Sequence, residues 1–242
     1  MVATIIATTP VRVAANRADL SAFLERAHRM AGFPGPVRAD IRIEKDGEQV
    51  DRAVLIVDPA AGKEFFAMQS AGWRALLPLS WGTGKAAISK DAKATAMGVD
   101  DPLPKTALRP FEFFPFWQTD YSTAFISDSN RMEKTITLYA PPKTPYTLFV
   151  ITFDKEKIVP LAIKYYKDNM NTLVRLRRDT DHIMVGSRPR PQSIEIRDFT
   201  DNSTTVLSLV WRTLDNVPPG VTDDAAFATA SVTWPAEPVA AR

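Results

Sequence analysis

No cysteine occurs among the 242 residues. Disulfides, thiolate catalysis and sulfur-ligated metals are therefore excluded, and the composition suits an oxidising compartment where a stray thiol is a liability. The cysteine that would carry a bacterial lipoprotein's anchor is missing too. Histidine is nearly as scarce: there are only two, His28 and His182. Neither stands in a ligand-like spacing with carboxylates, so both read as structural and no metal or cofactor is expected. Charge of one sign is also lacking. The 30 basic and 28 acidic residues leave a net charge of +2, without the excess that holds a nucleic-acid backbone by counterion release, and nucleic acid is excluded as a partner. No apolar run approaches the ~18 residues of a spanning helix. Met1 to Pro10 has no basic stretch and only a short apolar run, so it is not a signal peptide; the expectation is a soluble chain from which any export signal has been trimmed.

Enzyme motifs are missing as well. Gly82-Thr83-Gly84-Lys85 has Leu79 where a phosphate loop needs its upstream glycine, and Ala86 follows the lysine in place of Ser or Thr. Asp179 and Asp181 fall in a turn-like stretch and read as surface. No nucleophile, base and orienting group can be named together, so an enzyme is not expected.

What is present is mostly strand. Asp19 reads as the N-cap of one amphipathic helix, with Leu20, Phe23, Leu24, Ala27 and Ala31 on one side, Ser21, Glu25, Arg26 and Arg29 on the other, and Gly32 as its stop. Ile41 and Ile43 then alternate with Arg42 and Glu44, and Asp46-Gly47 turns toward a strand at Val54 to Val57. Strands follow at Glu64 to Met68 and Trp73 to Leu79. The small-residue stretch Gly82 to Gly98 has little to bury and should be exposed, and Tyr121 to Ile126 reads equally as helix or strand. From Lys134 a meander runs through Thr135 to Ala140, Tyr146 to Phe153, Val159 to Tyr166, Thr172 to Arg178, His182 to Gly186, Ser193 to Phe199 and Val206 to Arg212. Its turns are of the Asp/Asn type, as at Asp168-Asn169-Met170-Asn171. The absence of intervening helices argues an antiparallel sheet. Nothing divides the chain, so residues 1–242 form one domain, with a tail that frays after about residue 228.

Three features stand out. Phe111, Phe113, Phe114, Phe116 and Trp117 lie within seven residues, and Pro110 and Pro115 deny them a regular helix. Such a segment is a plug in a core or a lid over an apolar cavity. In Leu148 to Phe153 and in Val206 to Trp211 both alternating faces are largely apolar, so both want cover. Arg175, Arg177, Arg178, Arg188 and Arg190 form a basic cluster interleaved with Val174, Leu176 and Ile183. Alternation explains it as the solvated face of a strand; the functional reading is contact between Arg175, Arg177, Arg188 and Arg190 and a partner or an anionic head group.

The segment Arg188 to Phe199, with Thr204-Thr205 and Leu207 to Arg212, resembles the outer-membrane lipoprotein-sorting (LolA-like) family of periplasmic carriers. The order of an amphipathic helix, a first hairpin, an aromatic middle segment and the closing Val217-Pro218-Pro219-Gly220-Val221 stretch extends the resemblance over most of the chain. It implies a mainly β fold: an incomplete, strongly curved antiparallel barrel, a half-barrel whose concave face is covered by short helices and encloses an apolar cavity. It implies further a periplasmic monomer that binds a lipid, an acylated lipoprotein or another hydrophobic molecule. Such a carrier works between an inner-membrane transporter or exporter and an outer-membrane acceptor; the other reading is a non-carrier module docking on a membrane protein. Phe111, Phe113, Phe114, Phe116 and Trp117 would form the lid side of the cavity, and Ile41, Phe149, Ile151, Leu207, Leu209 and Trp211 its sheet wall. The family's lid-holding arginine precedes a proline at the end of the second strand; here that dipeptide is Asp58-Pro59, which leaves the aromatics to hold the lid and weakens lipoprotein as the cargo.

Overall fold

The helical spacing of Leu20, Phe23, Leu24 and Ala27 is realised in a computed structural model. It describes residues 10–79, 86–98, 101–104, 106–112, 123–140, 146–168 and 171–234, the side chains of residues 10–17 and of Phe111 excepted. Helix α1 runs over Pro10–Ala31 and buries those four side chains. It begins well before Asp19, which is therefore inside the helix and not its N-cap; proline at the first helical position costs nothing, because that N–H has no intrahelical partner. It stops at Gly32, whose N–H donates to the His28 carbonyl at 3.0 Å.

The strands are β1 Val37–Lys45, β2 Glu48–Asp58, β3 Lys63–Met68, β4 Arg74–Pro78, β5 Ala86–Lys90, β6 Lys93–Met97, β7 Thr123–Ser129, β8 Glu133–Tyr139, β9 Leu148–Asp154, β10 Pro160–Tyr166, β11 Leu173–Val185, β12 Arg188–Asp198 and β13 Ser203–Thr213. They form one antiparallel sheet in the order β6-β5-β4-β3-β2-β1-β13-β12-β11-β10-β9-β8-β7. The sheet is two meanders joined at the β1–β13 seam, where Val37 pairs with Thr213 and Lys45 with Thr205. The first hairpin closes on Asp46 and Gly47 at φ 53° and 86°, the paired positive φ of a two-residue turn that matches strand twist.

Several strand expectations change. Where Gly82 to Gly98 is described, residues 86–97 form the β5–β6 hairpin, whose β6 strand is exposed as expected while Ala86 and Ser89 of β5 are buried. Of residues 121–126, the described part, 123–126, lies in strand β7. The two segments around Asp179-Thr180-Asp181 are one strand, β11, because the β12 register passes through unbroken from Thr180↔Ser193 to His182↔Pro191. The outer face of β13 is not covered, and Val210 stands 65% exposed. The tail expected to fray after about residue 228 remains packed through residue 234, with Ala228 and Ala230 buried.

Two layers of cover flank the sheet. On one face α1 lies over β8–β10, with Phe23 edge-on to Phe153 at 5.3 Å, while Leu103, Ala107 and Leu108 cover β1–β5 and β13. On the other face Val221, Phe227 and Ala230 pack on Val54, Ile56, Phe65, Ala67 and Leu76. Among the described residues, the helical cover on the first face is α1 and a single 3-10 turn, Pro110–Glu112.

Candidate functional site

Cross-strand partners define the inner face. Trp211, Ala39, Leu55, Phe66 and Ala75 follow one another across five strands, as do Leu209, Ile41, Ala53 and Met68 across four. The same face of β11 carries Arg175, Arg177 and Asp179, paired with Asp198, Ile196 and Ile194 of β12. β3 and β11 have four strands between them, about 24 Å if the sheet were flat. Yet Glu64 of β3 and Arg177 and Asp179 of β11 line one pocket. The sheet is therefore curled around this face, an open half-barrel.

The pocket encloses about 110 Å³. Its apolar wall comes from the inner face through Leu55, Ile194, Ile196, Leu207, Leu209 and Trp211, from the end of α1 through Met30 and Ala31, and from Phe33 and Leu108. Its charged groups are Glu64, Glu112, Arg177, Asp179 and Arg190, with His182 beside them. β12 opens the pocket at one side. Its ladder to β13 ends at Ser193↔Ser208, so Pro189 and Pro191, which have no N–H to give, sit where β12 pairs only with β11. The Trp211 indole N–H donates instead to the Pro191 carbonyl at 2.7 Å.

The connection from β6 to β7 must pass from one sheet edge to the other, and inward charges hold it down. The Arg175 guanidinium donates to Glu112 Oε1 from Nε at 3.1 Å and from Nη2 at 2.8 Å, and it bonds Asp198 and the Ala107 carbonyl as well. Arg177 clamps Asp179 through two parallel bonds of 2.6 and 2.7 Å and donates to the Glu112 carbonyl. Burial pushes the Glu112 carboxyl up, opposed by the Arg175 charge and hydrogen bonds. These arginines are not a solvated face. Arg175 is 1% and Arg190 6% exposed, and Asp179, expected at the surface, is buried at 3%. Sequence alternation places alternate residues on one side of a strand without saying which side is wet.

Arg190 sits at the end of α1. It donates to the carbonyls of Met30 at 3.1 Å, Gly32 at 2.6 Å and Pro189 at 2.9 Å, and lies 4.0 Å from the Phe33 ring centre. Arg188 approaches the Met30 sulfur. Of the expected sheet wall, Leu207, Leu209 and Trp211 line the pocket. Ile41 lies in the core beside them, and Phe149 and Ile151 pack under α1 instead. Phe111 is in the 3-10 turn, whereas Phe113, Phe114, Phe116 and Trp117 lie outside the described residues, as do residues 82–85, the 169–170 part of the Asp/Asn turn and the chain beyond 234. Asp58 accepts from the N–H groups of Ala60 and Ala61, both at 3.1 Å, and from the Thr222 hydroxyl; it shapes the β2–β3 turn and ties the C-terminal segment.

Glu64 has no counterpart among the sequence expectations. It is 1% exposed, and its neighbours across the sheet are Val57 and Leu77. Its Oε2 is buried without a hydrogen-bond partner among the described residues. Burial pushes its carboxyl up to about 8, against the pull of Arg190 and Arg177. The available signal was a single acid at the head of the run Phe65-Phe66-Ala67-Met68. The described lining holds no serine, threonine, tyrosine or lysine.

Comparison of the sequence with protein-family models and with curated proteins gives no match. Solved structures do match. An outer membrane lipoprotein-sorting protein domain from Vibrio parahaemolyticus superposes with a TM-score of 0.71 at 13% identity, covering 84% of this chain and 95% of its own. A DUF1329 family protein from Desulfovibrio piger gives 0.69 at 12% identity, with 85% and 97% covered. A LolA superfamily protein from Nitrosomonas europaea gives 0.52 at 13% identity, with 83% and 96% covered. With the open, curled sheet, the inner-face helix and the crossing segment all in place, the chain has the LolA-like fold.

Proposed function

We propose that the protein is a non-enzymatic periplasmic carrier that shields the apolar part of a lipid or another hydrophobic molecule against the inner face of its sheet. The observation that carries this reading is the pocket between that face, the end of α1 and Leu108, walled by Leu55, Ile194, Ile196, Leu207, Leu209 and Trp211. Support also comes from the fold, which is that of a lipoprotein-sorting domain. Each methylene withdrawn from water contributes ~0.8 kcal/mol, so the wall favours an acyl chain. An apolar hole of ~150 Å³ holds one benzene ring. At about 110 Å³ the pocket takes the first few carbons, and a longer chain requires the end of α1 or the crossing segment to move outward. Phe111, in the 3-10 turn, and Phe113, Phe114, Phe116 and Trp117, between Glu112 and β7, supply the lid in this reading. The alternative of docking through an arginine-rich face has lost Arg175 and Arg190 to the interior.

Native mass spectrometry of protein purified from membranes, followed by organic extraction, tests the reading. An adduct of lipid mass that the extract identifies is expected, and protein that never carries lipid and never binds an added fluorescent fatty acid would sink it. In the same assay Trp117→Ala should speed release of the fluorescent fatty acid more than it lowers the melting temperature. The reverse result would make the aromatic run ordinary core.

A further inference from the structure

Ion pairing around the pocket is uneven. Arg177 is matched by Asp179, and Arg175 by Glu112 and Asp198. Arg188 and Arg190 make no ion pair among the described residues. Arg190 is buried, and its hydrogen bonds go to neutral carbonyls at the end of α1 and at Pro189. Those bonds use three of the five N–H groups of a guanidinium and leave two without a partner among the described residues. Across the pocket stands Glu64, in reach of the Arg190 and Arg177 charges and with one oxygen unsatisfied. A buried cation with no ion pair among the described residues and an orphaned carboxyl oxygen, both at the charged end of an apolar wall, describe one kind of ligand.

Resting on the carrier reading, we propose that the pocket selects single-chain amphiphiles with an anionic head, seated between Arg190 and the Glu64 carboxyl, the tail starting along Ile196, Leu207 and Leu209. Glu64 then decides when the seat is free. With a proton it is neutral and able to donate to the incoming anion; without it, it becomes the internal counter-ion of Arg190 and competes with the ligand. Burial sets that change near pH 8. Other titratable and charged groups face the same pocket. Arg190, pulled down to about 10 by burial and by Arg188, stays a cation. His182, lowered by burial first, is already neutral. Asp179 and Glu112 face the pocket as the ion-pair partners of Arg177 and Arg175, with burial pushing the Glu112 carboxyl up.

Calorimetric titration of the full chain with decanoate, decanol and acetate, at about pH 6.5 and about pH 9, tests this. At the lower pH decanoate should bind about tenfold more tightly than decanol, the scale of one charge-assisted hydrogen bond. That preference should collapse at the higher pH and persist there in Glu64→Gln, whose side chain stays neutral. Equal binding of decanoate and decanol at the lower pH overturns the anionic seat and leaves carriage standing, as does an unaltered pH profile in Glu64→Gln. Failure of both amphiphiles overturns carriage and seat together. Acetate binding as tightly as decanoate makes this a free-anion site and overturns the amphiphile.

Discussion

Glu64 is a carboxyl that the interior holds at a cost. A glutamate titrates near 4.5 in the unfolded chain and near 8 in the folded one. Between those values the folded protein holds a proton that the unfolded one has lost, so stability falls as pH rises from about 4.5 to 8 and stays low above. The limiting slope is about 1.4 kcal/mol per pH unit. Glu64→Gln should remove this slope, gaining most over the natural chain above pH 8 and least below 4.5. Urea unfolding at a series of pH values reads it directly, and parallel pH curves for the two proteins would show that Glu64 is not held as an acid. The residue was not legible in the sequence. Lys63-Glu64-Phe65-Phe66 offers no polar face, because the C-terminal segment covers the outer side of β3 as fully as the pocket side.

At the scale of elements, the crossing segment depends on charges more than on regular structure. Arg175 binds Glu112, Ala107 and Asp198 together, and Ala107 donates to the Thr205 hydroxyl at 3.0 Å. Arg175→Met leaves two carboxylates buried beside an apolar side chain, and we expect a loss of about 3–5 kcal/mol. Pairing it with Glu112→Leu should restore a large part of that loss, since an apolar pair of similar volume avoids the desolvation cost. Chemical denaturation of the single and double variants measures both; a double variant less stable than the single one would contradict the argument. Elements with a clean period were legible: the α1 stripe from Leu20, the Asp46-Gly47 hairpin, and β3, β4, β9 and β10. The first half of α1 was not, because Pro10 and Asp19 both look like helix starts and only packing decides. β11 reads as two strands because Asp179-Thr180-Asp181 has turn chemistry, which the common register to β12 on both sides of Asp181 overrides.

Taken whole, the sheet has protected middle strands and open ends. β6 and β7 are its edges, both exposed along most of their length, while β1, β13, β12 and β11 are paired on both sides and covered on the inner face. Amide exchange should therefore be slowest in β1, β13 and the Ser193–Asp198 part of β12, and fastest in β6 and β7. Uniform protection across all 13 strands would mean that the sheet opens only as one unit. The half-barrel itself was legible only through resemblance, since alternation specifies strands but not the curl that brings Glu64 to Arg190.

The β1–β13 seam has a consequence for biosynthesis. β1 leaves the ribosome long before its partner β13, which lies about 160 residues further along the chain. Contacts between residues so far apart form slowly. Until residue 213 emerges, β1 has an unpaired edge and the first meander lacks both β13 and the C-terminal segment that covers its outer face. The first meander thus stays open until β13 has been made, and it has its longest exposure to aggregation there. A holding chaperone would find its target between Val37 and Met68.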